Sequence, residues 1–495
     1  MTMNTAVPDV VGKSEATTEA RPPADEGAGD ITSVMSFLNV AAPTASCRVA
    51  ICRRMLNVHL DARGLDRMNE RGVRELTELL AIDDDDDDFE LRRAVVDVML
   101  KLAREHTMHL AAALTHTALP VLHRRVIAPY ASRRDPQHGG TALASAFDGA
   151  VALLRRLAEF SIATGGSGTI QRLRALMNPD MVSSLVALVE TAKEDEDRMT
   201  RAALRDCVGA LAALTANLRE ALRVSQQRQC FMSARRGSHV RRRKPPPPST
   251  APPVQPTARE LASMWTLTLK RNSGVGTTVT AAGGTLRPIQ EACDLLKDQR
   301  MMQVCCGLID SATTDHEVAR SAVAIMTSLT DGDESWSGAA RVVMAKRARV
   351  VLLASLLEDC CGCDDERLIG DVANLVTQLA RAVVTHTIIA TVALPTLVDA
   401  LLLGERCART PAALLALLAA VEQLVRYGDR FARAFADRCG VHVVKFLSTR
   451  NSRADDEEVR RAAARILALM WQRHPDVLSK YGYSNPGYFV SPDEK

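Results

Sequence analysis

The chain lacks any uninterrupted apolar run of about 18 residues, the length that crosses a bilayer as a helix, so no membrane span is expected. The nearest approach, Thr410 to Val425, is shorter and is broken by Glu422. The first thirty residues are polar and rich in Pro, Ala and Glu. They have neither the basic start nor the apolar stretch of a secretory signal. Net charge is also small. Lys and Arg number 62 against 59 Asp and Glu, which leaves +3 and no global polyelectrolyte case for nucleic acid as a partner. Aromatic residues make up 3% of the chain, which fits a core of closely packed Ala and aliphatic side chains.

Motifs of catalysis are missing too. Gly165-Gly-Ser-Gly168 and Gly274-Val-Gly276 are not followed by Gly-Lys-Ser/Thr, so they form no phosphate loop. Helix-flanking turns account for them. No Ser or Cys stands in a recognisable nucleophile motif. The expectation is a protein that is not an enzyme, with no cofactor and no small-molecule substrate.

Cysteine is present, at twelve positions, but scattered. Several, such as Cys207, Cys293 and Cys439, fall inside expected helices. They read as small buried hydrophobes kept reduced, not as a disulfide framework. Cys360, Cys361 and Cys363 have no second Cys/His pair close by in the sequence, and a structural zinc site needs four ligands in paired spacing. His106, His109, His116 and His123 also cluster, without the Glu-based arrangement of a zinc protease. Asp83 to Asp88 lacks the alternating spacing and Gly of a calcium loop. No metal is expected.

What the chain does have is a recurring unit. A short helix runs into Leu-Leu or Phe-Leu, an acidic break follows, and a longer Ala-rich helix ends near a leucine. Gly440-Val-His-Val-Val-Lys-Phe-Leu447 followed by Glu458 to Leu469 is one copy. Aligned on the final leucine, Leu329, Leu379, Leu424 and Leu469 lie 50, 45 and 45 residues apart. Leu102, Leu157 and Leu214 lie 55 and 57 apart. Periods near 40–47 residues belong to helical repeat arrays, and longer spacings imply loop insertions. In one unit Met181, Val182, Leu185, Leu188 and Val189 share a helical face, Lys193 to Asp197 forms the break, and Ala203, Cys207, Ala210, Leu211 and Leu214 return at amphipathic spacing. In another, Val351, Leu352, Leu356 and Leu357 precede a break at Cys360 to Glu366, and Leu368, Val372, Leu375, Val376 and Leu379 follow. Leu394-Pro395-Thr-Leu397 is read as opening a helix, because proline suits a first turn. Such a unit cannot bury its apolar faces alone, so copies must stack.

The units resemble armadillo repeats, with HEAT repeats as the close rival. The resemblance rests on Gly440 to Leu447, Asp315-His-Glu-Val-Ala-Arg-Ser-Ala322 and Asp371-Val-Ala-Asn-Leu375, and it covers roughly 72–217 and 290–475. It implies an all-α, right-handed α-solenoid with an internal disordered linker. The expected plan is a disordered tail over 1–30, repeats over 31–222, a basic, proline-rich linker over 223–258, repeats over 259–475 and a tail over 476–495.

The resemblance also implies where partners would bind. That family grips extended peptides with Asn, often with Trp, along the third helix. Asn374 matches, and it either holds a peptide backbone or caps a neighbouring loop. Asn217 sits late in its helix, the other long helices offer no Asn there, and Trp265, Trp336 and Trp471 form no ladder with them. The candidate groove positions are Arg201, Arg205, Asp206, Asp371, Asn374, Gln378, Arg381 and Gln423. The linker carries a second candidate, Arg235 and Arg236 with Arg241, Arg242, Arg243 and Lys244. It could serve as a nuclear localisation signal, contact nucleic acid or a microtubule surface, or simply keep the linker solvated. The function expected is therefore a cytoplasmic scaffold or adaptor for other proteins, in cytoskeletal or axonemal assembly or as a chaperone-like factor. The alternative is a nuclear-transport or nucleic-acid-associated adaptor.

Overall fold

The computed structural model describes residues 45–57, 70–82, 89–104, 108–132, 140–163, 169–194, 199–218, 221, 287–311, 315–363, 365–406, 410–449 and 457–482. The expected N-terminal tail, the C-terminal tail beyond residue 482, the expected linker with its Arg235 to Lys244 cluster, the acidic run at 83–88 and Trp265 lie outside these residues, whereas the start of the expected C-terminal tail is helical. No strand occurs among the described residues.

The helices are α1 (Ala45–Asn57), α2 (Glu70–Ala81), α3 (Phe89–Arg104), α4 (108–132), α5 (Gly140–Ala163), α6 (Thr169–Leu176), α7 (Pro179–Glu194), α8 (Arg201–Ala216), α9 (Arg287–Lys297) and α10 (Gln299–Ser311). They continue as α11 (His316–Thr330), α12 (Ser335–Met344), α13 (Arg347–Cys363), α14 (Glu366–Leu379), α15 (386–406), α16 (Pro411–Arg426), α17 (Asp429–Asp437), α18 (Gly440–Ser448), α19 (Glu457–Arg473) and α20 (Pro475–Lys480).

Two parallel stacks of helices make the fold. In one, α3, α5, α8, α11, α14, α16 and α19 pack each on the next; these are called ladder helices below. In the other, α2, α4, α7, α10, α13, α15 and α18 do the same, and each also packs on its own ladder helix. Short helices α6, α9, α12 and α17 precede the second-stack member of their units, so these units have three helices, the armadillo form. The result is an α-solenoid of armadillo type.

The leucine alignment marks the core. Leu102, Leu157, Leu214, Leu329, Leu379 and Leu424 are all buried. Leu469 is the exception and is only partly buried, because no further ladder helix covers α19 among the described residues; Ile466 and Met470 carry the burial there instead. The expected stripes on α7, α8 and α14 are buried in full. On α13 Leu356 and Leu357 are buried as expected and Leu352 is half-buried, but Val351 is exposed and Val350 and Leu353 are buried instead.

Three expected breaks differ. Helix α13 runs on to Cys363 and α7 to Glu194. Pro395 does not open a helix but sits inside one. A π turn at Ile389–Ala393 precedes it, and Leu394 N–H bonds to the Ile389 carbonyl. The same arrangement occurs twice in α4. A π turn at Leu114–Ala118 precedes Leu119-Pro120, and one at His123–Ile127 precedes Ala128-Pro129. A proline within a helix has no N–H and its ring crowds the carbonyl four residues back. A wider turn just before it relieves both.

The stretch Val383–Leu403 is long and apolar enough to match a membrane span by length and composition, but half of it is buried within the fold. Ile389, Leu394, Leu397, Val398 and Leu401 form that buried part.

The two expected repeat sets meet directly. Helix α8 packs directly on α11, and α7 packs on α9 and α10. The repeats before residue 222 and after residue 286 therefore form one continuous array.

Candidate functional site

The ladder helices start at equivalent residues. Thr200, Asp315, Asp365 and Thr410 are the N-caps of α8, α11, α14 and α16, and each stands fourteen residues before its anchor leucine. Three of them accept hydrogen bonds from their own first turn: Ala203 N–H to Thr200 at 3.0 Å, Val318 N–H to Asp315 at 3.3 Å and Leu368 N–H to Asp365 at 3.1 Å. That is what Thr and Asp do at a cap, where backbone donors have no intrahelical partner.

Each cap is also held by the preceding ladder helix. Thr200 donates its hydroxyl to Asp148 at 3.1 Å. Arg205 Nε donates to Asp315 at 2.7 Å. Arg320 donates to both oxygens of Asp365, at 3.1 and 3.2 Å, and His316 Nδ1 lies 3.1 Å from the same carboxylate. Glu366 accepts the Thr410 N–H at 2.8 Å and its hydroxyl as well. Asp148, Arg205 and Arg320 each lie nine residues before their anchor leucine. One position in three successive repeats thus does one job.

This reassigns two candidate groove residues. Arg205 is a fastener between repeats, not a free ligand for a partner. Arg381 donates to Asp333 at 2.8 Å and to Gln378 at 3.2 Å, and lies 3.5 Å from Asp331. Asp206 is likewise engaged, with Arg155 at 3.1 Å. Arg201, Asn374 and Gln423 are exposed and make no hydrogen bond among the described residues. Asn374 caps no loop among the described residues. Asn217 is buried and donates to the Ala213 and Ala158 carbonyls.

Four aspartates on the ladder helices share an electrostatic feature. Burial pushes the carboxyls of Asp97, Asp148, Asp206 and Asp371 above their ordinary pKa. Asp148 and Asp206 have the partners named above, and Asp97 faces Arg93 at 3.9 Å. Asp371 feels the charge of Arg320 but accepts no hydrogen bond among the described residues. Arg320 donates to Asp365 through Nη2 alone, and its buried Nε is unpartnered.

Among the described residues no group of three or more His, Cys, Asp or Glu could hold a metal. Cys360 and Cys361 are buried in α13. His123 lies 3.2 Å from the Ser184 hydroxyl, and burial lowers its pKa. His106 is outside the described residues. Cys207 and Cys293 are buried as expected, and burial drives the Cys293 thiol up to about 12. Cys439 is not: it is exposed, with φ of 62°, at the turn before Gly440.

No family model matches the sequence, and no curated protein matches it. Solved structures do. An engineered protein is 14% identical with a TM-score of 0.42, covering 92% of each chain. A designed armadillo repeat protein in complex with the peptide (KR)4 is 15% identical with a TM-score of 0.39, covering 69% of this chain and 97% of that one. A structure from work on the cadherin–β-catenin interaction is 12% identical with a TM-score of 0.31, covering 91% and 94%. Identity and TM-score are low throughout, and the assignment of architecture rests on the two helix stacks and their repeated caps.

Proposed function

We propose that this protein is a non-enzymatic scaffold that binds segments of other proteins along the exposed stripe of its ladder helices. A solenoid presents a long continuous surface on which extended segments or helices can dock. The observation that carries the reading is the pair Asn374 and Gln423. They lie on adjacent ladder helices, are exposed, and have amides with no hydrogen-bond partner among the described residues. An amide that both donates and accepts suits a peptide backbone.

A role in cytoskeletal or axonemal assembly, or as a chaperone-like factor in the cytoplasm, is an analogy at the level of fold. The alternative, a nuclear-transport or nucleic-acid-associated adaptor, rests on Arg235 to Lys244 alone.

The test is affinity purification with mass spectrometry on the intact chain and on a variant with Asn374, Gln378 and Gln423 all changed to Ala. Loss of specific partners with an unchanged melting temperature supports the groove. Equal capture by both chains moves binding elsewhere. Localising a chain with Arg241 to Lys244 changed to Ala tests the alternative, which requires that nuclear signal disappear.

A further inference from the structure

Among the four ladder caps, Thr410 is used differently from the others. Thr200, Asp315 and Asp365 accept bonds from the first turn of their own helices, whereas the Thr410 side chain accepts none. Its hydroxyl is turned to the preceding ladder helix instead, where Glu366 takes both that hydroxyl and the Thr410 N–H. The partner position differs too. Asp148, Arg205 and Arg320 reach the next cap from nine residues before their anchor leucines. On α14 that place is Gly370, which has no side chain, and Glu366, thirteen residues before Leu379, makes the clasp in its stead. At this cap one carboxylate holds one hydroxyl and one amide, and among the described residues no arginine takes part.

The same threonine is open to chemistry. It is exposed, its backbone is extended (φ −62°, ψ 146°), and Pro411 follows it. Of the 21 prolines only Pro411 and Pro492 follow a serine or threonine. Proline holds the residue before it extended and brings no N–H of its own. A hydroxyl presented in that way is what proline-directed protein kinases recognise. A phosphate there also has a physical destination. The first-turn N–H groups of α16 lack a side-chain cap, and the partial positive charge of a helix N-terminus favours an anion. A phosphate on Thr410 supplies that cap. It also removes the hydroxyl donor and sets a second anion against the Glu366 carboxylate, which opens the clasp.

We propose that Thr410 is a phosphorylation site, whose modification exchanges the bond to Glu366 for a cap on α16. In the step, Thr410 Oγ bonds to the terminal phosphorus of a nucleoside triphosphate as the bond from that phosphorus to the β-phosphate oxygen breaks. The nucleoside diphosphate leaves, and the hydroxyl proton passes to the base of the kinase. The co-reactants are a proline-directed protein kinase and a magnesium nucleoside triphosphate. Asp315 and Asp365 show the product state in outline, because each is an anion at the same place that caps its own helix. Those anions are held across their junctions by Arg205 and Arg320, and Gly370 offers nothing equivalent. Asn374 and Gln423 stand on the two helices that the clasp joins, so the modification acts on the spacing of the proposed binding stripe. That consequence rests on the scaffold reading; the site itself does not.

The full-length chain is incubated, well below its melting temperature, with a purified cyclin-dependent protein kinase and MgATP, and phosphate is located by peptide mass spectrometry. Phosphate on Thr410 is expected. Pro411→Ala should lose it while keeping phosphate on Ser491, the other residue of its kind before a proline. Hydrogen exchange then reads the switch against a mock-treated chain. After phosphorylation the amides of Ala412 and Ala413 should exchange about fivefold more slowly, the worth of a helix cap. The Thr410 amide, released from Glu366, should exchange faster. Thr410 free of phosphate in the native chain overturns the site, whether or not Ser491 is modified. So does equal modification of Thr410 in Pro411→Ala. Phosphate on Thr410 with unchanged exchange over 410–413 overturns the switch. Should Pro411→Ala not fold, the parent chain alone decides both. Either failure leaves the capture test of the Asn374, Gln378 and Gln423 variant untouched, so the scaffold reading stands or falls separately.

Discussion

Arg205 Nε donates to Asp315 at 2.7 Å although 110 positions of chain separate the two residues. The bond ties α8 to the N-cap of α11, the junction where the sequence alone suggests a division into two repeat sets. Arg300 and Glu190 pair across the same junction, between α10 and α7.

Cutting the chain there should therefore not separate it. With a protease site inserted between residues 222 and 286, the two fragments are expected to co-elute in size-exclusion chromatography under native conditions. Fragments that part at micromolar concentration would mean that α7, α8, α9, α10 and α11 do not hold one array.

Asp315 is both a cap and a clasp. Asp315→Ala should cost about 0.5–2 kcal/mol from the cap alone. Arg205→Ala should cost less, because a half-exposed ion pair is screened by water and salt. Urea denaturation of both single variants and of the double variant gives their coupling. If Arg205→Ala proves the more damaging, the clasp outweighs the cap.

Leu379 is fully buried, and Leu469 occupies the same repeat position half-covered. Leu379→Ala should cost about 2–5 kcal/mol, the range for emptying a packed leucine site, and Leu469→Ala clearly less. Thermal or urea midpoints compare them. Equal losses would show that the array continues past α19 in solution.

The carboxylates pull stability in opposite directions with pH. Asp365 is held below its ordinary pKa. Burial alone would raise it, but the Leu368 N–H, the Arg320 charge and bonds from His316 and Arg320 outweigh burial. The fold favours its ionised form, so its contribution is complete above the unfolded value of about 3.9 and is lost as pH falls through the lower folded value. Asp97, Asp148, Asp206 and Asp371 are raised by burial, so the fold favours their protonated forms. Their contribution is fullest below about 3.9 and fades as pH rises through their folded values. Asp371→Asn should accordingly melt higher than the parent at neutral pH, with the gap closing on acidification. Calorimetry across that range checks it, and a gap that widens toward acid contradicts the assignment.

The leucine period, the apolar stripes of α7, α8 and α14 and the Asn374 position are legible in the sequence, because burial on one helical face leaves a 3.6-residue signature. The clasps are not. Arg205, on α8, and Arg381, in the turn after α14, look like any exposed cation, and only packing against a neighbouring repeat reveals Asp315 and Asp333. The signal available in advance was the repetition itself: once Asp315 and Asp365 are aligned as caps, Arg205 and Arg320 fall at one position. The start of α15 was misread for a different reason. Proline has the same local preference for a first turn whether a helix begins there or a π turn carries it onward.

Those π turns have a consequence for how such an array can change. An α turn closes on the fourth residue and a π turn on the fifth, so each one absorbs a surplus residue while the helix stays unbroken. Two occur between Leu102 and Leu157 and one between Leu379 and Leu424. Single-residue insertions can thus be accommodated inside α4 and α15 rather than in the loops. Downstream leucines keep their place in the core even when their spacing in the chain does not.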